Sequence, residues 1–175
     1  DDDNDGLTDC EDPDCHGSIS IAAAKNNYCV GDTTLLTVTG GTAYLWSTGS
    51  TSSTAIASTA GTYTVLITSA SGCDSLMSIV INTNPLPTIT ANNTGAYCIG
   101  ETIELSATGG TTYAWSGANG FTSNDQNPTI ANSVLADFGK YYVTVTNANG
   151  CQNVDSTEVQ NNGNNQPILS FTGNI

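Results

Sequence analysis

The first sixteen residues concentrate the candidate chemistry. They hold eight acidic side chains and no base, a local charge of -8. Carboxylates packed that densely repel one another unless a cation sits among them. The spacing suits a cation. Asp1, Asp3 and Asp5 alternate, Gly6 follows, and Asp9 and Asp12 come next. This is the D-x-D-x-D-G opening of a calcium loop, in which alternate carboxylates converge on one hard ion and the glycine permits a sharp turn. The Leu7 carbonyl would supply a backbone ligand. Asp9 would act directly or through water, and Asp12 would close the loop. Together they can meet the roughly six to eight oxygens that Ca2+ requires. Asp12 is shorter than the glutamate of an EF-hand, and Pro13 and Gly17 stand where a helix would follow. The expectation is therefore a calcium loop without EF-hand helices, spanning residues 1–17. A solvated acidic tail is the alternative, but Cys10 and Cys15 argue against it. Zinc on Cys10, Cys15 and His16 is a third reading, weakened by poor spacing and the lack of a clear fourth ligand.

The stretch DDDNDGLTDCEDPDC resembles the short acidic metal-binding motif scattered through large bacterial surface proteins. It is also similar to the thrombospondin type 3 calcium repeat. The bacterial motif usually carries further residues, including a cysteine, before its first Asp. The chain starts partway in, as a processed product or one unit of something longer would.

Elsewhere the sequence is poorly equipped for catalysis. His16 is the only histidine, so no Ser-His-Asp set is expected. Glu101, Glu104, Asp125 and Asp137 could in principle pair for glycoside hydrolysis. Glu101, however, aligns with Asp32 at a strand-start turn, which suits a structural role. Lys25 and Lys140 have no recognisable nucleophile context. The net charge of -14, with two lysines and no arginine, excludes phosphate-backbone binding and hence nucleic acid. No apolar run approaches the roughly 20 residues of a membrane helix, so no membrane insertion is expected.

The elements that would position these groups are strands. Thr, Ser, Asn and Gly are abundant, which favours strands and turns over helices. An internal repeat organises the chain. YCVGDTTLLTVTGGTAYLWS from Tyr28 aligns with YCIGETIELSATGGTTYAWS from Tyr97 at an offset of 69. AGTYTVLITSASGC, ending at Cys73, aligns with FGKYYVTVTNANGC, ending at Cys151, at an offset of 78. The second copy thus carries nine extra residues. They are expected in a loop over Gly117–Asn127. Leu36 and Val38 face one way, Tyr63, Val65 and Ile67 alternate with Thr62 and Thr64, and both patterns recur in the second copy. Period-two runs separated by Gly- and Asn-rich turns predict an all-β fold of two tandem Ig-like β-sandwiches. The domains are expected over 18–84 and 85–160, with NTNPLP, residues 82–87, as the linker that Pro85 and Pro87 stiffen. Residues 161–175 form a linker and a strand-like tail, Pro167, Ile168, Leu169, Ser170 and Phe171. A lone apolar strand needs a sheet to join, and a neighbouring molecule's is one. Tyr44, Trp46, Tyr113 and Trp115 could suggest a sugar platform, but at strand spacing they read first as core.

The YC-[VI]-G-[DE]-T, T-G-G-T-x-Y-x-W-S and N-G-C pieces resemble Ig-like or PKD-like modules of giant secreted proteins in gliding bacteria that use type IX secretion. The resemblance covers about residues 18–160. It implies an extracellular stalk, adhesin segment or spacer. It also points to glycosylation at Thr33, Ser75 and Ser156, each preceded by Asp. Asn92-Asn93-Thr94 is a formal N-glycosylation sequon.

Six cysteines outside any C-x-x-C pairing suggest disulfides and an oxidising compartment. Sequential pairing gives Cys10–Cys15, Cys29–Cys73 and Cys98–Cys151. In an Ig-like strand order the last two pairs sit at opposite ends of a sandwich. Stacked domains would instead bring Cys29 to Cys151 as an interdomain staple, leaving Cys73 and Cys98 to face neighbouring units. Both schemes stand at this point. The functional expectation is an extracellular structural protein, a unit of a filament, stalk or adhesin. Its partners would be copies of itself, head to tail, or neighbouring modules of a longer chain, and its cofactor Ca2+. A carbohydrate- or protein-binding module with surface glycans as partners is the alternative, with Phe121 in the insertion as recognition residue.

Overall fold

The computed structural model describes residues 18–163. The expected calcium loop with Cys10 and Cys15, and the tail strand Pro167–Phe171, lie outside the described residues. The chain divides into two compact units between Pro85 and Leu86. Both are all-β, and each is an Ig-like pair of sheets.

In the first unit the strands are β1 (Ser20–Ala23), β2 (Asn27–Cys29), β3 (Thr34–Thr39), β4 (Ala43–Trp46), β5 (Thr54–Ala57), β6 (Gly61–Thr68) and β7 (Asp74–Asn84). One sheet has the order β1-β3-β5, the other β2-β7-β6-β4. In the second unit they are β8 (Thr90–Asn93), β9 (Ile103–Thr108), β10 (Thr112–Gly117), β11 (Thr122–Ser123), β12 (Thr129–Ile130), β13 (Gly139–Thr146) and β14 (Gln152–Val159). Their sheets are β12-β9-β8 and β11-β10-β13-β14.

Alternation in the sequence becomes alternation in burial. β3 and β9 share one pattern, every second side chain pointing inward. Leu36, Val38, Trp46, Tyr63, Val65 and Ile67 fill the first core. Their counterparts Leu105, Ala107, Trp115, Tyr141, Val143 and Val145 fill the second. Tyr44 and Tyr113 pack against these cores, so the aromatic pairs are structural. Truncating a fully buried side chain such as Leu36 to alanine costs about 2–5 kcal/mol.

The repeated Gly-Gly pair has a steric reason. Gly109 takes a φ of +107°, open to glycine and strained for other residues. A Cβ there would also overlap the Thr88 carbonyl, and one on Gly110 would overlap Val145. The turn that carries the chain from β9 in one sheet to β10 in the other therefore closes only on two bare backbones.

Two boundaries differ from expectation. β7 runs on through Asn84, because Asn82, Thr83 and Asn84 pair in parallel with β2. The first half of the expected linker is thus strand. At the other end, Asn161 bridges to Tyr97, and the Asn162 N–H donates to the Tyr97 carbonyl at 2.9 Å. The second unit is therefore tied down two residues beyond 160.

Candidate interaction surfaces

The insertion of the second unit is more than a loop. Gly117 leads into a single 3-10 turn, Ala118–Gly120, after which β11 pairs with β10. In the first unit the corresponding strand, β4, is the last of its sheet. The extra residues thus cover a sheet edge that the first copy leaves open. Unpaired edge groups invite intermolecular pairing, and a covering strand prevents it.

Phe121 does not present a recognition ring. It turns inward, 5.6 Å from the Tyr141 ring in an edge-to-face arrangement. A partly buried aromatic packed on the core stabilises the unit and offers no platform to a sugar.

Tyr141 is the centre of a polar corner. Its hydroxyl donates to the Asp137 carbonyl at 2.6 Å, as Tyr63 does to the Thr59 carbonyl at 3.0 Å in the first unit. This four-residue reach is the tyrosine corner of Ig-like sandwiches. Burial, with the Asp137 charge as a second cause, pushes the Tyr141 phenol up to about 12. The Asp137 carboxylate is fully engaged. It accepts the Asn119 side-chain amide at 2.8 Å and the Val134 N–H at 2.7 Å. Asn119 belongs to the insertion, so this carboxylate locks the insertion to the corner.

The other carboxylates considered for catalysis have similar local duties. Glu101 accepts the Cys98 backbone N–H at 2.7 Å and closes its own turn. Asp125 receives a hydrogen bond from Ser123 at 3.4 Å. Glu104 is exposed on β9. Among the described residues no three His, Cys, Asp or Glu side chains gather as a metal site. Nor, among them, is any helix long and apolar enough to cross a membrane.

The cysteine chemistry is more definite. Cys29, Cys73 and Cys151 are disulfide-bonded, and Cys98 carries a free thiol. Register excludes one sequential pair. Cys73 immediately precedes β7, while Cys29 pairs with Asn84 at the far end of that strand. Ten residues of strand at about 3.3 Å each separate them by roughly 33 Å. A disulfide tolerates about 7 Å between Cα atoms. The free thiol of Cys98 excludes the other, Cys98–Cys151. Cys73, being bonded within the chain, is not left over to join a neighbouring unit as the staple scheme supposed.

Of the three Asp-preceded hydroxyls, Thr33 is exposed, whereas Ser75 and Ser156 are half-buried in strands. Asn92 of the sequon is exposed. A groove of about 660 Å³ opens where β11 parts from β10. It is lined by Thr112, Ala114, Thr144 and Gln152 on the sheet side and by Asp125 and Gln126 on the other. Sequence reasoning missed this groove, because it forms only where the insertion crosses from one sheet to the other.

One family match agrees with this fold. Residues 85–162 match a family model described as an Ig-like domain, CHU_C associated. The three N-terminal domains of the outer capsid protein Hoc from bacteriophage RB49 are 19% identical, with a TM-score of 0.45. That match covers 82% of this chain and 58% of the Hoc fragment. The amphioxus IgVJ-C2 molecule is 16% identical at a TM-score of 0.40, over 77% of this chain and 99% of that one. An eight-Ig-domain fragment of Down Syndrome Cell Adhesion Molecule is 15% identical at a TM-score of 0.50. There the match covers 83% of this chain and 28% of the fragment. No curated protein matches the chain.

Proposed function

We propose that this chain is an extracellular structural protein, a repeat unit of a cell-surface filament, stalk or adhesin, assembled head to tail and stabilised by calcium and disulfides. The observation that carries the reading is duplication. One Ig-like core is built twice in series, with Trp46, Trp115, Tyr63 and Tyr141 spent on packing and Asp137 on a corner. Disulfide-bonded cysteines suit an oxidising exterior. The family match over the second unit and the similar fold of the Down Syndrome Cell Adhesion Molecule fragment favour a surface module.

In this reading Asp1, Asp3, Asp5, Leu7, Asp9 and Asp12 hold Ca2+, and Cys29 joins Cys151. Pro167–Phe171 adds to a neighbouring copy's sheet. A heterologous contact of that kind propagates into an open filament. Electron microscopy of the full chain tests it: filaments are expected, and they should vanish when residues 164–175 are deleted. Filaments of unchanged length after the deletion would rule out strand addition by the tail. Peptide mapping without reductant reads the staple, and Cys29 bonded to any cysteine other than Cys151 would remove it.

The groove beside β10 favours a second reading, a binding module for neutral polyhydroxylated ligands. Its walls are mostly hydroxyls and amides, with the Asp125 carboxylate among them. A glycan array with Asp125→Ala and Gln152→Ala as controls separates the two: binding lost in both variants supports the module.

A further inference from the structure

The outer face of the sheet β2-β7-β6-β4 carries a row of leucines in register. Leu45 pairs with Leu66, and Leu66 pairs with Leu76. They are 54%, 37% and 71% exposed. Val80, two pairs along β7, is exposed on the same face. Neighbouring strands lie about 4.8 Å apart, so the row is a continuous apolar stripe across three strands. Single exposed leucines are ordinary, whereas contiguous apolar patches mark interaction sites. The repeat supplies an internal control. At the equivalent positions the second unit has Ala114, Thr144 and Val154. Lys140 and Glu158 face each other along the same sheet.

We propose that this face is an isologous dimer contact, with the Leu45–Leu66–Leu76 row of one copy packing on the same row of a second. Symmetry and charge both select that partner. A two-fold axis through Leu66 sets Leu45 of each copy on Leu76 of the other, so three equal side chains on evenly spaced strands are self-complementary. The net charge of -14 sits mostly elsewhere, since eight of the sixteen acids fall in residues 1–16 and residues 18–85 carry only Lys25, Asp32 and Asp74. Among the outward positions of β4, β6 and β7 only Asp74 ionises, and it already accepts a hydrogen bond from Thr68 at 2.8 Å. This face can therefore meet a second copy with little repulsion, and it offers a charged partner little to hold. The contact is lateral and does not rest on head-to-tail growth; it would pair chains side by side.

Sedimentation velocity on the full chain tests it. The wild type should show a species of twice the chain mass that forms reversibly beside any longer polymer, and Leu45→Thr/Leu76→Lys should weaken the doubling at least about tenfold, roughly 1.4 kcal/mol. Both positions are exposed, so an unchanged melting temperature should confirm that the variant folds. Leu66→Cys combined with Cys98→Ser should give a covalent dimer on oxidation, because the axis places the two sulfurs together. Deleting residues 164–175 should leave the doubling intact while removing any longer polymer. Three results would overturn the proposal. One is a wild type that stays single up to about 1 mM, where weak interfaces register. Another is a doubling indifferent to the leucine changes. The third is a doubling lost with the tail, which would make the tail the occupant of the row.

Discussion

Tyr141 shows how much one hydroxyl carries. Its ring fills the second core while its oxygen holds the Asp137 carbonyl. Tyr141→Phe should lower stability by about 1–2 kcal/mol, because a buried carbonyl loses its donor. The pH dependence follows from the raised phenol. Below pH 10 the phenol is neutral in both folded and unfolded chains, and its contribution is fully present. Between pH 10 and about 12 the unfolded phenol ionises while the folded one does not, so stability falls. Alkaline melting curves should show this loss in the wild type and less of it in the variant. The two tryptophans offer a matched contrast. The Trp46 indole donates to the Ser52 carbonyl at 2.9 Å, whereas the buried Trp115 indole has no partner among the described residues. Trp46→Phe should therefore cost about 1 kcal/mol more than Trp115→Phe in chemical denaturation. The core role of both was legible in the alignment at offset 69. The missing bond was not, because it depends on the path the chain takes after the insertion.

At the scale of elements, the repeat made strand order and core membership readable, since period-two alternation fixes which side chains face inward. The insertion was readable only as extra length. Its pairing with β10, the inward turn of Phe121 and the clamp from Asn119 to Asp137 are long-range outcomes that local patterns do not encode. The same holds for β7, which overran the expected linker because β2 gave it a partner. Phe121→Ala should lower the melting temperature, with a cost of about 2 kcal/mol, by opening a void beside Tyr141. Were it a recognition residue, the melt would hold and only ligand binding would change. Gly109→Ala should be worse than an ordinary surface change, because backbone strain and a clash with the Thr88 carbonyl add together.

At the scale of the molecule, the account is of a chain built to span distance. Ligand linkage gives one check. An ion that binds only the folded protein stabilises it, so a chelator should lower the melting temperature and added Ca2+ should restore it. Asp3→Asn/Asp5→Asn should abolish the response. The most direct measurement is imaging of the full chain by negative-stain electron microscopy, beside the chain lacking residues 164–175. The account predicts long filaments from the first and short particles of one or two chains from the second. Isolated particles from both, at concentrations where the protein is folded and calcium is present, would contradict it.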